Sequence, residues 1–176
     1  MIIILLGAPG SGKGTIAELI QKKHQIPIIS SGEILRAEMN KRTEIGKKVS
    51  RFLLSGELVP DEIINSLIEN KIKQLRYEQS VIIDGYPRNQ NQAIALNKVW
   101  KSELIVFYLD LPKKTLVDRL LHRGRVDDTE KIIERRFEVY LNETQPLIDY
   151  YTRTDVLIKI NEISSMEIFK KIETVL

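Results

Sequence analysis

The apolar run at residues 2–6 passes directly into Gly7-Ala-Pro-Gly-Ser-Gly-Lys13-Gly-Thr15, with glycine at positions 7, 10, 12 and 14. Few local structures satisfy both halves of that junction. A short continuous Ile/Leu run suits a strand buried on both faces. Closely spaced glycines let the backbone curl so that successive N–H groups point inward, and a helix opening straight afterwards adds the partial positive charge of its N-terminus. A Gly-x-x-x-x-Gly-Lys loop between strand and helix is therefore a cradle for a phosphate chain, with Lys13 as its point charge.

The rest of the chain repeats the same alternation. Residues 81–83, 104–109 and 156–160 are short Ile/Val/Leu-rich runs bounded by Gly, Pro or Asp, and residues 26–29, with Pro27 inside, form a weaker fifth candidate. Stretches of helical period lie between them, at residues 15–24, 61–74, 91–100, 113–122, 129–151 and 165–175. Strand alternating with helix predicts a three-layer αβα fold around a central parallel five-stranded sheet, joined by right-handed crossovers. Residues 30–60 break the rhythm and read as two or three short helices, the first capped by Ser31 and the next long helix opened by Pro60. This is a small helical insertion on the sheet's rim. No repeat, linker or low-complexity tract is present, and 176 residues suit one domain.

Composition removes several classes of function. The chain has no cysteine and two histidines, so disulfides, a thiolate nucleophile, Cys-ligated zinc and a dedicated transition-metal site are not expected. His24 and His122 read as solvated surface residues. The net charge of +3 suits anionic ligands without the concentrated basic blocks of a nucleic-acid tail. The N-terminal apolar run lacks a basic leader and is too short to span a bilayer, so neither secretion nor membrane insertion is expected.

One departure narrows the reading. Where the common phosphate loop has Ser or Thr after its lysine, this chain has Gly14 and then Thr15. Gly-Lys-Gly-Thr resembles the nucleoside monophosphate kinases, in particular the adenylate kinases. Further segments resemble that family in the same order: Ser30-Ser-Gly-Glu-Ile-Leu-Arg36, Gly56-Glu-Leu-Val-Pro60, Asp84-Gly-Tyr-Pro-Arg88 with Gln92 after it, Arg119, Arg123-Gly-Arg125-Val-Asp-Asp128 and Arg136. The resemblance implies a P-loop NTPase core at residues 1–29, 60–121 and 129–176, an NMP-binding insertion at 30–59 and a very short lid at 122–128.

The implied reaction is ATP + AMP giving two ADP, with Mg²⁺ bound alongside ATP, in a cytoplasmic monomer. By the resemblance, Gly10, Ser11, Gly12, Lys13, Gly14 and Thr15 cradle the ATP phosphates, with Arg119 and Arg123 beside them. Arg36 and Arg88 grip the AMP phosphate, while Arg125 and Arg136 span donor and acceptor. Ser31, Gly32, Glu57, Leu58, Val59, Gly85 and Gln92 surround AMP, and Asp84 orients water on Mg²⁺. Lys13, Arg88, Arg123, Arg125 and Arg136 form the catalytic set. The chemistry suits such a set. The acceptor phosphate, with a second pKa of about 6, is mostly dianionic at neutral pH and needs no general base. It does need alignment and fixed positive charge, which arginine's planar fork supplies best.

Finer features bear on substrate and class. Gln92 matches the adenylate kinases where UMP/CMP kinases tend to have Asn, whereas Asn89-Gln-Asn91 has some UMP/CMP character, so a UMP/CMP kinase using ATP is the alternative. Ser31 keeps a hydroxyl where adenylate kinases usually have Thr. The short lid implies no zinc. Residues 161–165 lack the glycine that usually meets the ATP adenine, so no residue is assigned there. Asp127 and Asp128 either hold the lid arginines or cap the helix near Thr129, with capping preferred. Arg42, Arg51, Arg76, Arg135 and Arg153 match nothing and read as surface residues. A GTPase switch would need Asn-Lys-x-Asp, but Asn97-Lys-Val-Trp100 ends in tryptophan. A nucleic-acid module would need a stacking pattern of aromatics that the scattered Tyr and Phe do not form.

Overall fold

A computed structural model describes the whole chain apart from residues 42, 76–79, 102, 126 and 127. Arg42, Arg76 and Asp127, named above, lie outside the described residues. Five parallel strands form one sheet: β1 (Ile2–Gly7), β2 (Ile28–Ser30), β3 (Val81–Asp84), β4 (Leu104–Leu109) and β5 (Leu157–Ile160), in the spatial order β2-β3-β1-β4-β5. The expected parallel sheet is present. β1 sits at its centre, with Ile2 opposite Val81 on one side and Leu104 on the other. The chain winds outward from β1 in both directions, so the strand order reverses beside β1, and the crevice past the carboxyl ends of such strands is where open α/β sheets bind ligands.

Side chains alternate across β1. Ile2, Ile4 and Leu6 join a core layer with Val81, Ile83, Ile64, Ile68 and Tyr151. Ile3 and Leu5 join the opposite layer with Ile16, Ile20, Leu116, Leu120, Ile168 and Ile172. Each face is covered by helices, which is why the strands read as unbroken apolar runs rather than alternating ones. On the first face lie α4 (Asp61–Lys73), α5 (Gln90–Val99) and α8 (Pro146–Arg153). On the second lie α1 (Lys13–His24), α6 (Lys113–Arg123), α7 (Glu130–Val139) and α9 (Ser165–Glu173). Residues 31–55 fold as α2 (Ser31–Asn40) and α3 (Glu44–Ser55), two short helices.

Several boundaries differ from expectation. α1 begins at Lys13 because Gly12, in the left-handed region at φ 90°, supplies the turn into it. The weak fifth strand starts after Pro27, whose ring cannot donate to a ladder, and it occupies a sheet edge. Ser30 rather than Ser31 is the residue preceding α2; Ser31 lies within the helix and its hydroxyl points elsewhere. The stretch expected to be one helix from 129 to 151 is divided by a π-helical turn at Tyr140–Thr144, followed by Pro146 at the start of α8. Pro146 has no N–H to continue a helical ladder. The Gln145 N–H instead donates to the Tyr140 carbonyl at 2.8 Å, a five-residue step.

Ile20 is fully buried where α1 crosses the sheet. Ile20→Ala should destabilise the protein by about 2–5 kcal/mol, the usual cost of deleting a large core side chain. Equilibrium urea unfolding of the two proteins measures it, and a difference below about 1 kcal/mol would contradict this packing.

Candidate active site

At the carboxyl end of the sheet a cleft of about 490 Å³ opens between the glycine loop, the segment from β2 into α3, the loop after β3, and the ends of α6 and α7. Gly10, Gly12, Lys13, Gly14 and Thr15 border it, as do Ser31, Gly32, Arg36, Glu57, Leu58, Val59, Asp84, Gly85, Arg88 and Gln92. Arg119, Arg123, Arg125 and Arg136 complete the group. Thus every expected site residue except Ser11 lines one cavity, and Ser11, within the loop, is fully buried.

Steric fit explains why the loop is glycine-rich. A Cβ on Gly10, whose φ is +84°, would fall 2.4 Å from the Leu116 carbonyl oxygen, so only glycine lets the loop lie on α6. Lys13 Nζ donates to the carbonyls of Gly7 at 2.7 Å and Ala8 at 2.9 Å, and to Ser11 Oγ at 3.1 Å. These bonds tie the ammonium to its own loop, at the mouth of which it faces the arginines. Burial drives its pKa down to about 8; Asp84 opposes the shift, whereas Arg88, Arg123 and Arg136 add to it. Arg119 bridges two loops, donating to the Ser11 carbonyl at 3.4 Å and the Ile163 carbonyl at 2.6 Å.

The arginines past α6 are held by one carboxylate. Arg123 Nε and Nη2 donate to the two oxygens of Asp128 at 2.7 and 2.6 Å, the Arg136 guanidinium reaches the same group at 3.1 Å, and the Arg125 N–H donates to it at 3.3 Å. The Asp128 side chain is 1% exposed. Burial pushes its carboxyl up, but the hydrogen bonds and charge of Arg123, the Arg125 amide and Arg136 outweigh that and hold it below the ordinary carboxylate value. The preferred capping role is therefore corrected: Asp128 organises the arginines, and Thr129 caps α7 by accepting from the Ile132 N–H. A carboxylate engaging two guanidinium groups and a backbone N–H is worth more there than at a helix end that a hydroxyl can satisfy.

On the opposite wall, Ser31 Oγ donates to the Gly85 carbonyl at 2.7 Å, and Arg88 Nε donates to the same oxygen at 2.8 Å. Gly85 (φ +75°) has no room for a Cβ, which would meet Ser31 Oγ at 2.6 Å. Gln92 is 2% exposed and its amide is already engaged: Oε1 accepts from the Arg88 N–H at 2.7 Å and Nε2 donates to Asp61 at 2.7 Å. Glu57 accepts from Arg135 at 2.7 Å, so Arg135, exposed as expected, has an ion-pair role as well. Asn91, Arg51 and Arg153 are exposed. His24 pairs with Glu173 and His122 with the Asp118 carbonyl, both away from the cleft.

Sequence reasoning missed Glu18, Tyr140, Thr144 and Ser165 as cleft-lining residues, because none sits in a motif. It also missed Asp61, which reads locally as an ordinary acidic first turn of a helix. Asp84, at the end of β3, lies 3.3 Å from Ser30 Oγ and beside Gly14, where an added Cβ would stand 3.7 Å from its carboxylate. A cleft-facing carboxylate with the Ser30 hydroxyl beside it fits a divalent cation such as Mg²⁺ that takes most of its oxygen ligands from substrate phosphates and water.

A sequence model of the adenylate kinase family matches residues 5–156 of this chain. The chain is 43% identical over 169 residues to adenylate kinase 1 of a Nostoc species, covering 94% of this chain and 92% of that protein. It is 43% identical over 159 residues to the adenylate kinase of Leuconostoc mesenteroides, covering 88% and 85% of the two chains. It is 41% identical over 173 residues to that of Leptospira biflexa, covering 94% and 93%.

The two perturbed groups make separable predictions. A depressed carboxylate contributes stability that is present above the ordinary carboxylate pKa and lost as pH falls through the native value. Asp128→Asn should therefore cost about 1–3 kcal/mol at neutral pH and flatten the decline in Tm between about pH 5 and 3. An acid limb as steep as the wild type's would contradict the arginine-held carboxylate. Lys13, by contrast, is short of protons between about 8 and its ordinary 10.5. Binding of a nucleoside triphosphate at about pH 9, where its phosphates are fully ionised, should draw a proton onto the lysine. Calorimetry in buffers of different ionisation enthalpy measures the uptake, which should vanish near neutral pH.

Proposed function

This chain belongs to the adenylate kinase family, and from that membership we propose that it transfers the γ-phosphoryl group of ATP to the phosphate of AMP, giving two ADP. The observation that carries the assignment is the convergence of Arg36, Arg88, Arg119, Arg123, Arg125 and Arg136 with Lys13 on one cleft. Such a density of fixed positive charge suits a reaction between two phosphate chains better than the binding of one. Every named relative is an adenylate kinase, and none of these findings favours the UMP/CMP alternative.

The roles follow from position. On the donor side, the loop N–H groups and Lys13 hold the ATP phosphates, with Arg119 tying the loop to the segment after β5. On the acceptor side, Arg36 and Arg88 hold the AMP phosphate near Gly85, while the apolar wall of Leu35, Leu53, Val59 and Ile64 receives its base. Arg123, Arg125 and Arg136 stand between, and Asp128 keeps the first and last of them aimed before substrate arrives. The attacking oxygen is already ionised, so the residues position and neutralise rather than move a proton. Mg²⁺ bound with ATP, near Asp84 and Thr15, would neutralise and orient the donor phosphates. Releasing Lys13 from its loop carbonyls to a phosphate exchanges neutral acceptors for a charged one, a stronger hydrogen bond.

Residues from the 30–59 insertion line one side of the cleft and Arg123 and Arg125, from the expected lid, another, and we take insertion and lid to close over the substrates and exclude water. The Glu57–Arg135 pair already links the first wall to α7 at 2.6 Å. One chain carries the complete cationic set, which supports a monomeric enzyme. No helix among the described residues is long and apolar enough to cross a membrane, in keeping with action in the cytoplasm, where ATP and AMP are available.

Lys13→Ala should lower kcat for AMP-dependent ADP formation by about 100-fold or more while leaving thermal stability near that of the wild type. A coupled assay with AMP, UMP and CMP as acceptors tests both parts of the reading. Near-wild-type kcat in the variant, or a wild-type preference for UMP or CMP, would overturn it.

A further inference from the structure

Behind the acceptor wall lies a hydrogen-bond network that the site motifs do not account for. Asp61, the first residue of α4, faces the start of α5 across 31 positions of sequence. Its carboxylate accepts from Gln92 Nε2 at 2.7 Å and from Asn89 Nδ2 at 3.1 and 3.3 Å. Asn89 in turn accepts the Gln92 N–H on its Oδ1 at 2.9 Å, as the cap of α5. The other end of the Gln92 amide accepts the Arg88 N–H at 2.7 Å.

These partners leave no ambiguity about the amide's sense. A carboxylate accepts and a backbone N–H donates, so Nε2 faces Asp61 and Oε1 faces Arg88. A glutamine amide has two N–H donors and two acceptor lone pairs. With one of each engaged inside the wall, Gln92 keeps one N–H and one lone pair, in fixed order, at the edge of the cleft it lines. That order complements an edge carrying an amino donor beside a ring-nitrogen acceptor, as in a 6-aminopurine. A 6-oxopurine presents the reverse, so its oxygen would meet Oε1 and its ring N–H would meet Nε2. Turning the amide over would set donor against donor at Arg88 and acceptor against acceptor at Asp61.

We infer that Asp61 is a specificity-determining positioning residue: it locks the Gln92 amide in the sense that admits an amino edge and refuses an oxo edge. The inference rests on AMP being the acceptor whose base meets Gln92. It assigns Asp61 no contact with substrate. Its carboxylate is placed to hold two side-chain amides at once, and the Asn89 link makes the sense of each depend on the other. A neutral acceptor at the same place preserves the lock, because one oxygen of Asp61 already receives both Gln92 and Asn89. Loss of any acceptor there releases it.

The test is the ratio of kcat/KM for AMP to that for IMP, with ATP as donor, since the two acceptors differ only at this edge. The ratio is taken on a single preparation of each variant and does not depend on the fraction folded. Asp61→Ala should narrow it by about 10-fold or more, through a raised KM for AMP with the KM for ATP unchanged. Asp61→Asn should restore most of the preference, which a loss of general stability or charge would not do. Asp61→Ser, too short to reach Gln92, serves equally if the alanine variant does not fold. An unchanged ratio in Asp61→Ala, with the preference abolished by Gln92→Ala, overturns the role of Asp61 and leaves the acceptor reading standing. An unchanged ratio in Gln92→Ala as well overturns that reading and the inference with it. A collapse in Asp61→Asn as complete as in Asp61→Ala assigns the effect to charge and overturns the lock.

Discussion

Gathering six guanidinium groups and an ammonium around one cleft is electrostatically unfavourable until phosphate arrives, and the architecture of the site is organised around offsetting that repulsion. Asp128 does most of it on the α6–α7 side, where a single buried carboxylate engages Arg123 and Arg136 together. Lys13 is accommodated differently, by the neutral carbonyls of Gly7 and Ala8, and it remains easier to deprotonate than a solvated lysine. Arg88 and Arg119 spend donors on the carbonyls of Gly85 and Ile163. These five cations are thus positioned by groups that a phosphate can displace or complement, so much of the cost of organising their charge is met in the folded protein rather than at the moment of reaction.

The sheet makes this gathering possible. β1 and β3 end side by side, delivering the glycine loop from one and Asp84-Gly-Tyr-Pro-Arg88 from the other to the same edge. The two faces of the sheet then present different supports. α1 and α6 on one face carry Lys13, Arg119 and Arg123, while α4 and α5 on the other carry Asp61 and Gln92. The proposed donor and acceptor halves of the cleft are therefore built on opposite layers of one core. The residues that align them are fixed to regular elements or their first turns, which holds their geometry better than long loops would.

The wall proposed for the acceptor shows how a motif residue depends on surroundings that no motif records. Gln92 reads from sequence as an amide able to pair with a base, yet its orientation is ambiguous in isolation. In the fold, Asp61 and the Arg88 N–H remove that ambiguity, at positions 31 and four residues away along the chain. Ser31 behaves similarly. Its local context suggests a helix cap, but the approach of Gly85 gives its hydroxyl a better acceptor within the same wall of the cleft.

Local chemistry alone determined a good deal. The unbroken Ile/Leu/Val runs determined buried parallel strands, because only a strand covered on both faces uses apolar side chains at every position. The glycines at 7, 10, 12 and 14, seated after such a strand, determined a tight loop onto the N-terminus of α1, the proposed phosphate cradle, because few other sequences let a backbone turn so closely there. The ordered arginines marked the site by their resemblance to a known pattern. What the chain could not show in one dimension was which charges would be shared. Asp128 reads more readily as a cap than a clamp until Arg123 and Arg136 converge on it, and Asp61 is an unremarkable helix-initiating acid until α5 brings Gln92 and Asn89 within 2.7–3.1 Å. The long helix expected at 129–151 is instead divided by a π turn before Pro146, although the missing N–H of that proline was legible in the sequence. Strand and loop identity depend on neighbours a few residues apart. The pairing of charges and amides depends on distances set by the whole sheet, so it was decided only when the fold brought those groups together.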